Sequence, residues 1–280
     1  MAAWFTDRAT TPVTALGREV VDRIAHLSTV HADGWGAAWV DPAGAHHTHR
    51  SVLPAHTDPG FADFMTGTET RACFVHVRLG TPGYGTGLAN VHPFVRDGWA
   101  FAHNGAILPA GHIDALLPPG SERKPEGQTD SEIYFLALLE EMDHTAGDLV
   151  TAADRVIART TDAGLHASSL NAILLGPDIL AVISHHDPTA GTGHVRVWPD
   201  DERATGVTWP PYHPMLHTRR PGFEAVVSSG LVPEPAADGW NSLADDLVWS
   251  VALESGHSTL RPLAGYQERI TPVPVSRCES

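Results

Sequence analysis

The sequence carries only two cysteines in 280 residues. Cys73 lies in an apolar, strand-like run and Cys278 in a polar tail, so a disulfide framework is excluded and a reducing, cytoplasmic setting is expected. Cationic residues are also scarce, with 18 Lys and Arg against 33 Asp and Glu and a formal net charge of -15. Such a surface repels phosphate backbones, which argues against nucleic acid as a partner. Long apolar runs are missing as well. No stretch of about 18 apolar residues occurs, and the start lacks the basic flank of a secretory signal, so no membrane partner is expected.

What is present is an ordinary globular mix, 42% hydrophobic, in a chain long enough to bury a sizeable core. One domain over residues 1–280 is the expectation. The start, "MAAWFTD", is apolar where most termini are polar, which suggests insertion into a core or site. Leu16, Val20, Val21, Ile24 and Leu27 recur at helical spacing between charged residues. "DGWGAAWV", "RACFVHVR" and "GWAFAHNG" read as strands bounded by Gly and Asp. In "TDSEIYFLALLEEM", Thr129 and Glu132 form the pattern of a capping box, and a second helix is expected from Asp148 to Asp162. Strands then dominate, in "LNAILLG", "ILAVISHH", "HVRVWP", "FEAVVSSG" and "DLVWSVAL". Ala43 to Gly60 and Pro199 to Pro221 read as loops. Strands, two helices and strands again indicate an α+β layered domain.

Four segments gather Gly, Asn, His, Arg and Asp at strand ends: "DGWG", "HVRLGTPG", "NVHPFVRDGWAFAHNG" and "TDSE". Each alone has a plain reading: Asn-Gly is a turn, Arg78 a surface ion pair, His92 a loop histidine, and Asp130 a dipole partner in a first helical turn. In this order they resemble the class II glutamine amidotransferase domain of the N-terminal-nucleophile hydrolases, above all its small stand-alone γ-glutamyl hydrolases, including that of ergothioneine biosynthesis. The resemblance implies a four-layer αββα sandwich of two antiparallel sheets, with the chain start in the active site.

It also implies roles. The Asn104 amide and the Gly105 N–H match an oxyanion hole, Arg78 a grip on a substrate α-carboxylate, and Asp130 a receiver of its α-ammonium. Thr81 would add a hydroxyl contact and His92 a supporting one, while Trp35, Phe94 and the loop at Tyr212 are candidates for touching a leaving group. The function implied is γ-glutamyl amide hydrolysis in a small-molecule pathway, through a glutamyl thioester and with release of glutamate. A glutaminase feeding ammonia to a separate synthetase is the competing enzyme.

The departure is at Ala2, where the family has its nucleophilic cysteine. A methyl group cannot attack a carbonyl, so the chain as written is expected to be inactive. Removal of Met1 is expected beside so small a residue. A replaced cysteine, a natural γ-glutamyl-binding module, and another nucleophile (Thr6, Thr10 or Cys73) stay open as explanations. Of the 18 histidines, His46, His47 and His49, the His185–His186 pair, and His213 with His217 invite a metal reading. Pro214 opposes a helix that would align the last pair, and no Cys or acidic set completes a site, so no metal and no cofactor is expected. The composition is compatible with a homo-oligomer.

Overall fold

The apolar N-terminus becomes the interior strand of a sheet. Strand β1 (Ala2–Thr10) is buried over its first five residues and pairs antiparallel on both sides. This comes from a computed structural model that describes residues 1–81, 83–186, 213–232 and 238–264. Across the sheet the order is β13 (Asn241–Leu243), β11 (Met215–Arg220), β12 (Phe223–Ser228), β1, β4 (Thr70–Val77), β2 (Trp35–Val40) and β3 (His46–Ser51).

A second antiparallel sheet runs β15 (Ser258–Pro262), β14 (Leu247–Ala252), β10 (Ile179–Ser184), β9 (Asn171–Leu175), β6 (Trp99–Asn104) and β5 (Phe94–Arg96). A small ribbon pairs β7 (Ile107–Leu108) with β8 (His166–Ala167). Three short-to-medium helices, α1 (Pro12–Leu16), α2 (Arg18–Leu27) and α3 (Pro59–Gly67), cover the first sheet. The longer α4 (Asp130–His144) and α5 (Leu149–Asp162) cover the second.

Strand alternation sorts the side chains into three cores. Ala3, Phe5, Phe74 and Val226 of the first sheet meet Ala102, Ile173, Val182 and Trp249 of the second. Val75, Val77 and Trp35 face the other way, against Val20, Ile24 and Phe61. Phe101, Leu174 and Ile183 pack on Tyr134, Leu138 and Val156. The four layers are those of an αββα sandwich. Across the central layer, the Trp249 indole N–H donates to the buried Glu224 carboxylate at 2.8 Å, which also accepts from Ser258 and Arg219.

Three local readings change. β3 falls inside the expected loop 43–60: its residues, His46 to Ser51, carry no apolar period, because it is an edge strand held to β2 by its backbone ladder and by the His47 and His49 rings packed on Trp39 and Trp35. β11 falls in the tail of the expected loop 199–221, its ladder supplied by β12 and β13. The capping box is half formed. Thr129 Oγ1 accepts from Glu132 N at 3.2 Å, whereas the Glu132 carboxylate accepts from the N–H groups of Glu126 and Gly127, both at 2.7 Å. The run "HVRVWP", the loop at Tyr212 and Cys278 lie outside the described residues.

Candidate active site

The strands of both sheets stop at one end of the sandwich, its mouth, and alternation dictates which side chains point there. On the first sheet, Met1 belongs to the inner core with Phe74, and two residues beyond Phe74 and again beyond that come His76 and Arg78. On the second sheet, Ala102 is an inner residue, so Asn104 is too, and Asn104 pairs with Asn171 of β9.

At one side of this mouth stands Arg78, 3% exposed. "DGWG" builds its seat. Asp33 N donates to Arg78 O at 3.0 Å, Arg78 N donates to Gly34 O at 2.8 Å, and Gly34 has φ of 112°, a conformation suited to glycine. Asp33 Oδ2 accepts from Gly80 N at 2.7 Å, which brings its charge to the guanidinium. Nη2 donates to Gly85 O at 3.2 Å, and Nη1 has no partner among the described residues. Burial lowers the Arg78 pKa, while Asp33 and Asp130 oppose that shift.

Asp130 opens α4, where the helix dipole favours a carboxylate, and its Oδ2 accepts from Ile107 N at 2.7 Å. Burial and the nearby Asp130 charge push the Tyr84 hydroxyl up to about 12. The surrounding loops are tied by Asn90, whose Nδ2 donates to Gly85 O at 2.8 Å and whose Oδ1 accepts from Gln128 N at 2.9 Å.

The middle of the mouth is rich in neutral bases. The Met1 amine lies buried, 3.3 Å from Ser228 Oγ, and burial lowers it to about 5. Burial, and then the amine's charge, lower His31 to about 4. His76 and His92 fall well below the usual histidine value, burial first, and their rings lie 4.3 Å apart. Neither ring nitrogen of His92 has a hydrogen-bond partner among the described residues. His92 O presses on β2 so closely that a Cβ on Gly36 would lie 2.1 Å from it, which explains the second glycine of "DGWG".

His103 turns outward: Nε2 lies 2.9 Å from Ser169 O, and Nδ1 lies 3.0 Å from Ser131 Oγ. A carbonyl only accepts, so Nε2 carries the proton and the Ser131 hydroxyl donates to Nδ1. Gly105 follows with no room for a side chain, since a Cβ there would stand 2.1 Å from Ser169 O.

Arg78, Asp130, His92, Asn104 and Gly105 therefore converge on one end of the sandwich, with half-buried Thr81 beside the Arg78 loop. Two expected residues do not. Ala2 pairs with Val75 and Val227, and its methyl is sealed among Trp4, Trp35 and the helices over the first sheet. With Met1 in place, the register turns Ala2 away from the mouth and presents Met1 instead. Trp35 is fully buried in the same outer layer; its Nε1 donates to Asp58 Oδ2 at 2.9 Å and Phe61 packs edge-on at 5.1 Å. At that register position, opposite the outward Val77 of β4, the indole points outward. Phe94 is a core residue behind the second sheet that touches His92 edge-on at 4.7 Å.

Thr6 bonds to backbone oxygens of β4, and Cys73 is buried in the outer layer, which drives its thiol pKa up. Of the histidine groups, His47 pairs with Asp41 at 2.8 Å on the exposed edge strand, and His217 sits in β11 at 3.5 Å from Glu224. Among the described residues no three His, Cys, Asp or Glu gather to hold a metal ion. No helix among them is long and apolar enough to cross a membrane. Sequence reading gave no role to Asp33, Asn90, His76 or His103, although all four lie inside the motifs it singled out.

Residues 19–184 match the family model described as glutamine amidotransferases class-II. The chain belongs to this family. The match covers Arg78, His92, Asn104, Gly105 and Asp130 but neither Met1 nor Ser228.

More particularly, the chain is similar to the γ-glutamyl-hercynylcysteine sulfoxide hydrolase of Mycolicibacterium smegmatis, 32% identical over 78 residues, 28% of this chain and 34% of that protein. The chain thus spans about a third of the length of that curated relative. In fold it resembles a glutamine aminotransferase class-II domain protein from Silicibacter pomeroyi (TM-score 0.60, 20% identity, covering 94% of this chain and 98% of that one). It also resembles the glutamine phosphoribosylpyrophosphate amidotransferase of B. subtilis (TM-score 0.57, 15% identity, covering 93% and 48%).

Proposed function

We propose that this protein recognises the γ-glutamyl group of a small-molecule amide in a site of the γ-glutamyl hydrolase type, one that releases glutamate when a nucleophile is present. The observation that carries the reading is Arg78. A buried guanidinium with an idle N–H calls for an anionic acceptor, and two carboxylates flank it without bonding to it. A free amino acid head has the complementary charges. Its α-carboxylate takes Arg78, its α-ammonium turns to Asp130, and Thr81 adds a hydroxyl.

The γ-carbonyl then reaches Asn104 and Gly105. As attack makes its oxygen negative, the side-chain amide and the backbone N–H stabilise that charge; one such donor is worth about 100- to 1000-fold in rate. His92 supports this wall of the pocket. The neutral Met1 amine has the lone pair that a terminal base needs, but no thiol stands beside it. The chain as written therefore binds amides without cutting them. Its partner is a small molecule of a biosynthetic pathway, in the cytoplasm.

The test is calorimetric titration with glutamine and γ-glutamyl amides, combined with a glutamate-release assay on the chain as written and on two thiol variants. One is Ala2→Cys freed of Met1; the other is Met1→Cys, exposed by cleaving a leader. Binding by all three, with release by a thiol variant alone, supports the hydrolase reading, and the variant that works locates the nucleophile. Binding without release by any of them would leave a γ-glutamyl-binding module. Turnover by the unaltered chain would overturn the claim of inactivity.

A further inference from the structure

The mouth continues past Asn104, on the side away from Arg78, into residues that the glutamyl group does not use. Alternation along β10 puts Val182 inside and Ile183 outside, so Ser184 and His186 face inward while His185 faces the helices. Contacts agree: His186 Nδ1 lies 2.5 Å from Asp245 Oδ1, and the Ser184 hydroxyl is 3.5 Å from the same oxygen. His185 instead meets the buried Asp246 at 2.5 Å, near Asp154 of α5.

From the first sheet, His213 lies two residues before the inner Met215, and its ring is 6.1 Å from that of His186. Asn171 joins the groups to the centre of the mouth. It pairs with Asn104, donates from Nδ2 to His213 O at 2.6 Å, and accepts from His185 N at 2.7 Å. His186 also bridges to Ser169, the residue packed on Gly105.

Resting on the glutamyl reading above, we propose that His186, Asp245 and His213 form the leaving-group subsite, and that it selects amides whose amine portion carries a second, positively charged nitrogen. The placement of Asp245 sets this preference. Its carboxylate lies 2.5 Å from His186 Nδ1 and brings a negative charge to this end of the mouth. The third group, His213, is held neutral, with a pKa of about 4 produced by burial and then by the neighbouring His186. One carboxylate, one third exposed, makes a partly screened anionic end. An ammonium is drawn to it, whereas a second carboxylate on the leaving group would be repelled by Asp245.

The probes are glutamine, the γ-glutamyl monoamide of 1,4-diaminobutane, γ-glutamyl butylamide and γ-glutamylglutamate, each titrated calorimetrically into the chain as written. The diamine conjugate is expected to bind about five- to tenfold tighter than the butylamide, and γ-glutamylglutamate weakest. Asp245→Asn should erase the diamine preference while leaving the affinity for glutamine, which has no such extension, unchanged. Equal binding of the three extended amides by the unaltered chain, with glutamine bound, would overturn the subsite alone. Failure of every ligand, glutamine included, would overturn the glutamyl reading. Because the unaltered chain gives the ligand ranking, the outcome stands even where Asp245→Asn does not fold.

Discussion

The two sides of the mouth are built in different ways. On the Arg78 side a single cation is held by one backbone carbonyl, that of Gly85, and faced by Asp33 and Asp130, and the elements that hold it are strand ends and a helix start. On the His186 side, histidines meet carboxylates in pairs, and the residues come from strand ends of both sheets. A fixed charge reads a fixed head group. A lone carboxylate beside two rings would sort what hangs from it by charge.

The sharpest way to break this comparison is Arg78→Ala. It should weaken glutamine binding by about a hundredfold, as expected for losing one member of a desolvated charge pair, while the melting temperature stays close to that of the parent. Unchanged affinity by calorimetry would mean that the two sides do not divide the ligand as described.

A smaller effect concerns pH. His31 and His213 have folded pKa values of about 4, below the unfolded value of about 6.5, so the unfolded chain takes up protons first on acidification. Their contribution is present above about pH 6.5 and fades as pH falls toward the folded values. Each should remove about 1–2 kcal/mol between pH 7 and 5, and His31→Gln should flatten that slope in urea melts. A stability that is flat until the carboxylate range near pH 4 would refute it.

The smallest effect separates the mouth from the layer behind it. Trp35→Phe removes the bond to Asp58 and should lower stability by about 1 kcal/mol while leaving glutamine affinity alone. A changed affinity would return Trp35 to the pocket.

These contrasts explain what could be read from the sequence. Arg78, Asn104, Gly105 and Asp130 sit in short motifs whose glycines and turns have local causes, so their spacing carried the information. The layered α+β fold followed from short apolar runs such as β6 and β9, bounded by turn residues. β3 was hidden because an exposed edge strand needs no apolar period. Ala2 and Trp35 were misplaced because one residue of register decides which face a strand side chain takes, and register is fixed by partners on β4, β2 and β12 that lie far away in sequence. The pairs at His185 and His186 were visible as histidines, but their acids are some 60 residues away along the chain.

The Asn90 and Glu132 braces have a last consequence, for the speed and entropy of capture. Asn90 locks the 85 loop to the 128 segment, and Glu132 clamps residues 126 and 127, all through side chains already bonded within the fold. The walls around Arg78 are thus ordered when the chain folds, and little further freedom is lost when a ligand enters. Around these braces, entry is a matter of diffusion and desolvation.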